Sequence, residues 1–373
     1  MNICQVISAK FPPTEGMGNY VWNLSLKLKE SGHQVDIITR RYPGETEYEE
    51  IDGIKIWRVF FIPLYPIHIF LHTFFVNQLI RKIGKKFDIF HIHSPLPPIV
   101  KASQPKLLTM HVPLKADVAT IDMTSIHAVF SKLQLPFSML SEKATIKHAN
   151  GITTVSLKVA EDLKDYGIAP QDVEVMFNAV NINQFKPASE RQGNYVFTAA
   201  RLNHRKGLSD LIDAAKIVVQ TIPDLKFKIA GEGPLESVLQ NKIKRLGLED
   251  HVHLIGVVKD RNEIVRLYQN AGIFVLPAYY EGLPTVVLEA MACATPVIAT
   301  PVGGVPQVIT HMENGILVPT KDPSRLANEI IELYKDRLLQ RRLGEQGRKT
   351  IEQEFSWEKI SKKYLDAYEN LLN

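Results

Sequence analysis

The chain has 373 residues, 44 Lys and Arg against 40 Asp and Glu, and a formal net charge of +4. With 45% apolar and 23% charged residues it has an ordinary globular composition, which excludes a disordered chain, a collagen and a coiled coil. The charge is too small for a dedicated nucleic-acid binder. At about 100–200 residues per domain, the length predicts two domains or three. Cys4 and Cys293 give neither a disulfide framework nor a cysteine metal cluster, and both fit reduced thiols in a core.

Taken in order, Met1–Pro13 lacks a basic segment running into an apolar one. No signal peptide is expected, and the cytoplasm is the expected compartment. Asn2–Ser8 reads as a buried strand, Pro12 to Gly18 breaks the chain, and Tyr20, Leu24 and Leu28 have helical spacing. Gly32 stops that helix, and Val35–Thr39 is the next strand, which completes a βαβ unit. Val59–Ile80 holds no Asp, Glu, Lys or Arg. Its length suits a membrane span, but Pro63, Pro66, His68, His72, Thr73, Asn77 and Gln78 would all need satisfying in hydrocarbon, so no span is predicted.

The window 54–115 carries Lys55, Arg58, Arg81, Lys82, Lys85, Lys86, Lys101, Lys106 and Lys115 against Asp88 alone, a balance of +8. Trp57, Phe60, Phe61, Tyr65, Phe70, Phe74 and Phe75 lie beside that charge. Basic groups next to exposed aromatics suit an anionic membrane surface; aromatics in the core above a solvated lysine face would not.

Further strands are predicted near Ile54–Val59, Asp88–His91, Lys106–Met110 and Gly151–Val155. After Asn178–Asn194, read as the interdomain connection, a second alternating run begins. Its strands lie near Tyr195–Ala200, Lys226–Ala230, Val252–Ile255, Ile273–Leu276, Pro296–Ala299 and Ile316–Val318. The pattern predicts an α/β protein of two doubly wound Rossmann-like domains facing each other across a cleft. The two runs divide the chain into residues 1–180 and residues 181–354, with 355–373 following them. Ligands of open α/β sheets bind beyond the carboxyl ends of the strands, so the loops there are the candidates for chemistry.

Arg201 and Lys206 follow a buried strand, and two fixed cations there suit a diphosphate. In Glu281-Gly282-Leu283-Pro284-Thr285, Pro284 suits the first helical position, and the amides of Gly282, Leu283 and Thr285 make a helix N-terminus fit for an anion. Glu289 falls in an otherwise apolar helix, where a carboxylate needs a partner; a ribose diol would serve. Glu281 sits in the loop before it, placed to hold sugar hydroxyls or to complement the helix dipole. Gly16 and Gly18 permit a tight turn close to a phosphate. His111 ends a predicted strand, where it can donate to a sugar hydroxyl. The pairs His91 and His93, and His251 and His253, have no carboxylate or thiol beside them to complete a metal set and read as structural.

Together these residues resemble the retaining GT-B glycosyltransferases of family 4. The resemblance runs from Pro12-Pro13 and Gly16 through Gly32–Val35, Thr109–His111, Ala200–Gly207, Gly231–Pro234, Gly256, Glu281–Glu289 and Thr295–Gly304. It implies that residues 1–180 form an acceptor-binding domain and 181–354 a nucleotide-sugar-binding domain, with the last helix, 355–373, crossing back onto the first. It implies further that Arg201 and Lys206 bind the donor diphosphate, Glu289 the ribose, and Glu281 the donor sugar. The amides of Leu283 and Thr285 would support the phosphates, Gly16 would close on them, His111 would touch the transferred sugar, and the residues after Gly256, namely Val257, Val258, Lys259 and Asp260, would border the base. It also implies no metal ion and no cofactor, the nucleotide-sugar being a co-substrate. Where the family has a glycine pair, this chain has Glu15-Gly16, and its Pro-Asn-Gly-Val-Asp linker reads Phe177-Asn178-Ala179-Val180-Asn181.

The expected reaction is transfer of a hexosyl group, with retention, from a UDP-sugar to a hydroxyl. The acceptor is a lipid-linked sugar, a cell-envelope glycan or a soluble sugar, and a lipid-linked one would place the protein on the inner face of the cell membrane. The alternatives are transfer of mannose from GDP-mannose, another GT-B activity such as a sucrose-type synthase or a phosphorylase, and a non-catalytic nucleotide-sugar scaffold. A dinucleotide oxidoreductase is disfavoured, because Gly16 and Gly18 lack the third glycine of its fingerprint.

Overall fold

A computed structural model describes residues 1–13, 16–62, 68–115, 126–189 and 193–373, with the backbone alone for 126–134. The chain divides into two compact units, Met1–Asn178 with Trp357–Asn373, and Ala179–Ser356. Each is a Rossmann-like α/β layer structure built around a largely parallel sheet.

The first unit contains β1 (Asn2–Val6), β2 (Gln34–Arg40), β3 (Tyr48–Ile51), β4 (Ile54–Val59), β5 (Ile89–Ser94), β6 (Lys106–Met110), β7 (Gly151–Thr154) and β8 (Glu174–Val175). Their order across the sheet is β3-β4-β2-β1-β5-β6-β7-β8. All neighbours are parallel except β3 and β4, which form an antiparallel hairpin at one edge. Near-continuous apolar runs such as Ile3-Cys4 and Ile37-Ile38 are buried because helices cover both faces of a parallel sheet. The two strands that the sequence does not announce are β3, a polar edge strand reading Tyr-Glu-Glu-Ile, and the two-residue β8.

The second unit contains β9 (Tyr195–Ala199), β10 (Lys226–Ala230), β11 (Val252–Gly256), β12 (Ile273–Leu276), β13 (Val297–Ala299) and β14 (Ile316–Leu317). Their order is β11-β10-β9-β12-β13-β14, all parallel.

The predicted connection 178–194 is not a free linker over its described length. From Ala179 onward it is part of the second unit. The Phe185 ring is buried against Tyr268, with centroids 5.9 Å apart. The Arg348 guanidinium ties the segment down by donating to the carbonyls of Phe185 (2.7 Å) and Ile182 (3.2 Å).

Helix α1 (Gly16–Glu30) packs against the last helix of the chain, Trp357–Leu372, within the first unit. Between that helix and the sheet runs a buried polar network. Tyr364 and Tyr368 lie one turn apart on one helix face, the spacing that puts side chains together. The Tyr20 and Tyr364 hydroxyls are 2.7 Å apart, and Thr109 Oγ1 lies 3.1 Å from Tyr364 and 2.6 Å from Thr153 Oγ1. His91 spans the network, Nδ1 to the Tyr368 hydroxyl and Nε2 to Thr109 Oγ1, each at 2.7 Å. His93 and His111 continue it toward the carboxyl edge of the sheet.

Burial holds these imidazoles neutral. It pushes His91 and His93 well below the ordinary 6.5, and His111 down to about 3. A histidine depressed in the folded state takes up a proton only on unfolding, so its contribution to stability is present above 6.5 and is lost as the pH falls below it. Each of the three should remove about 1.4 kcal/mol of unfolding free energy per pH unit below that point. Urea midpoints measured from pH 7.5 down to pH 5 are expected to fall steeply below pH ~6.5, and a flat profile would show that the histidines are protonated in place.

Candidate functional site

In the second unit the strand order reverses between β9 and β12, which is where open α/β sheets bind ligands. The loops after these two strands are fastened together there. Gly207 has a left-handed φ of 62° and lies so close to the Pro277 carbonyl that any Cβ would overlap it. The Tyr279 amide donates to the Arg205 carbonyl at 2.7 Å. The loop after β13 joins them: the Thr300 hydroxyl donates to the Ala278 carbonyl at 2.5 Å, and the Gly304 amide to Gly282 at 2.5 Å.

Two of the predicted residues meet at this point. Lys206 Nζ lies 2.5 Å from Glu281 Oε1, with side-chain exposures of 19% and 10%. The sequence assigns them to different parts of a ligand, yet here they bind each other. An ammonium has three donors and a carboxylate two oxygens, so each keeps capacity for a ligand after making this bond. Arg201, on the same loop as Lys206, is exposed and makes no ion pair among the described residues. The site therefore holds one cation paired with a carboxylate and one that makes no ion pair among the described residues.

The helix Thr285–Ala292 follows directly. Pro284 is not its first residue, as the sequence predicts, but its N-cap, with an extended ψ of 114°. Thr285 takes the first helical position and is half-buried, while Gly282 and Leu283 are buried. Glu289 is half-buried on this helix, and its Oε2 accepts the Tyr268 hydroxyl at 2.7 Å. Burial raises the Glu289 carboxyl above the ordinary range, against the opposing pull of Tyr268 and Arg261.

Tyr268 belongs to helix Arg261–Asn270 and is a site residue that the sequence reading missed. A partner 21 positions away leaves no spacing signal; the one clue is a tyrosine on the buried face of an otherwise polar helix. Asp260, in the stretch expected to border the base, caps that helix by accepting the Asn262 amide at 2.9 Å. Val258 is half-buried in the loop just before it.

Gly16 and His111 belong to the first unit. Gly16 is the first residue of helix α1 rather than a turn glycine, and a Cβ there would meet nothing within 4 Å. Gly18 is the constrained one, with a Cβ position 2.9 Å from Pro13 Cβ. Glu15, where the family pattern has glycine, lies outside the described residues. His111 follows β6 and is 8% exposed, with Nε2 3.3 Å from His93 Nδ1. His91 and His93 are hydrogen-bonded core residues.

Two Rossmann-like parallel-sheet units, with charged side chains gathered at the switch point of the second, define a GT-B type of protein. Residues 14–184 match the family described as Glycosyltransferase Family 4, and residues 180–350 match Glycosyl transferases group 1. Together the two matches take in most of the chain, which belongs to this family of glycosyltransferases and is a transferase enzyme. The N-acetyl-alpha-D-glucosaminyl L-malate synthase of Bacillus anthracis is 26% identical over 97% of this chain and 96% of its own. Among solved structures, a sucrose-phosphate synthase from Thermosynechococcus elongatus superposes with a TM-score of 0.84 at 23% identity, covering 99% of this chain and 98% of the other. Anabaena HepE, solved with UDP and glucose, gives a TM-score of 0.75 at 17% identity over 98% and 99% of the two chains.

Proposed function

We propose that this glycosyltransferase moves a hexosyl group from a UDP-sugar to a hydroxyl acceptor and retains the anomeric configuration. The observation that carries the reading is the Lys206–Glu281 pair at the β9/β12 switch point, with Arg201 on the same loop making no ion pair among the described residues. As the bond from the sugar C1 to the diphosphate oxygen breaks, charge grows on the leaving phosphate. Arg201 and Lys206 would stabilise that charge more in the transition state than in the ground state, without a metal ion. Glu289, already oriented by Tyr268, would take the ribose hydroxyls.

Neither carboxylate suits a covalent nucleophile, because Glu281 is held by Lys206 and Glu289 by Tyr268. The acceptor oxygen would then bond to C1 on the face the phosphate leaves, its proton passing to that departing phosphate. Uridine is favoured over guanine because residue 259 is a lysine rather than a carboxylate that would read the guanine edge. The UDP bound in Anabaena HepE supports the same choice. Incubation with UDP-hexoses and GDP-mannose, followed by NMR of the product's anomeric proton, is expected to show turnover of a UDP-sugar with the donor's own configuration. An inverted product would overturn the mechanism, and turnover of GDP-mannose alone would overturn the base assignment.

We further infer a lipid-linked acceptor at an anionic membrane surface. In the 54–115 window Phe60, Phe70 and Phe74 are 46%, 44% and 55% exposed. Arg81, Lys82 and Lys85 are exposed on the same stretch. Some of the basic residues there are already paired: Arg58 is buried and bound to Glu49 at 2.6 Å, and the exposed Lys86 pairs with Asp36 at 2.5 Å. Among the described residues no helix is long and apolar enough to cross a membrane, so such contact would be peripheral. The protein is expected to sediment with phosphatidylglycerol-containing vesicles and not with phosphatidylcholine alone, and Phe70→Ser with Phe74→Ser should abolish this. Equal recovery with both lipids would remove the membrane from the account.

A further inference from the structure

His93 lies between Gln5 and His111 in a buried hydrogen-bonded chain. His93 Nε2 lies 2.7 Å from Gln5 Oε1, and a carbonyl oxygen only accepts, so that nitrogen carries the hydrogen. His93 is fully buried among His91, His111 and Tyr20, with no carboxylate partner among the described residues, and burial holds it neutral. Its Nδ1 is therefore bare and must accept. The group facing it is His111 Nε2 at 3.3 Å, which must donate. His111 is neutral as well, so its own Nδ1 is left with a lone pair and makes no hydrogen bond among the described residues.

The geometry points to His93, oriented by Gln5, as a positioning residue that locks His111 in the Nε2–H tautomer and presents its Nδ1 lone pair to the ligand of the first unit. This reverses the role the sequence suggests, since His111 would accept from a hydroxyl rather than donate to one. It also narrows the ligand group. A sugar or polyol hydroxyl can donate to that lone pair, whereas a phosphate or carboxylate oxygen would be repelled by it. The functional part of this inference rests on the glycosyl-transfer reading; the tautomer does not.

The test is long-range nitrogen–proton NMR on protein labelled with ring-¹⁵N histidine, the His111 signals being identified by their loss in His111→Gln. A protonated Nε2 and a bare, pyridine-like Nδ1 are expected. A protonated Nδ1 would overturn the proposal and would mean that the Gln5 amide is turned over, since that reverses every proton in the chain. His93→Asn places an acceptor oxygen near the old Nδ1 and should keep the tautomer, whereas His93→Leu should release it to a mixture. A folded His93→Leu protein with His111 unchanged would also overturn it.

In a transfer assay His93→Leu should lower kcat about tenfold, the worth of one transition-state hydrogen bond, with His93→Asn losing less. Equal losses in the two variants would reduce His93 to a packing role. Absence of any sugar-transfer activity would sink the functional reading and leave the NMR result standing.

Discussion

The pairing of Lys206 with Glu281 is the constraint on which the second unit's site depends. The two residues come from loops that follow β9 and β12, 75 positions apart in sequence. They meet because the sheet reverses its winding between those strands and because Gly207 lets one loop pass against the Pro277 carbonyl. A charge-assisted bond in a mostly buried place fixes both side chains before a ligand arrives. A preset cation of this kind loses little on reorganising, which is the condition under which electrostatic stabilisation accelerates a reaction.

The first unit is organised by a different device. Its centre is a chain of neutral polar groups, Tyr20, Tyr364, Tyr368, Thr109, Thr153, His91 and His93, sealed between the sheet and the final helix. Such a network raises specificity only when its members are satisfied. Here it tethers the C-terminal helix to the unit that begins the chain, and it delivers a defined ring orientation to His111 at the edge of the sheet.

The sequence is readable where a residue's role is set by its neighbours in the chain. Apolar runs bounded by Gly and Pro located every strand that lies inside a sheet, and β3 escaped because an edge strand can be polar. The cations of the β9 loop, and Glu281 and Glu289 around Gly-Leu-Pro, were visible because the family's motif is local. What was not visible depends on contacts across the fold. Nothing near Glu289 announces Tyr268, nothing near His93 announces Gln5, and the Lys206–Glu281 bond follows from strand order rather than from spacing. Arg58 shows the reverse error: counted with the surface charge, it is a buried residue held by Glu49 and the Phe11 carbonyl.

The central claim is that the switch point of the second unit is a nucleoside-diphosphate site completed by Glu289. Calorimetric titration of the protein and of Glu289→Ala with UDP, GDP and ADP, each with and without EDTA, tests it most directly. The account predicts that UDP binds most tightly, that EDTA leaves the affinity unchanged, and that binding is lost in the variant. Failure of all three nucleotides to bind, or binding that survives Glu289→Ala unchanged, would contradict it.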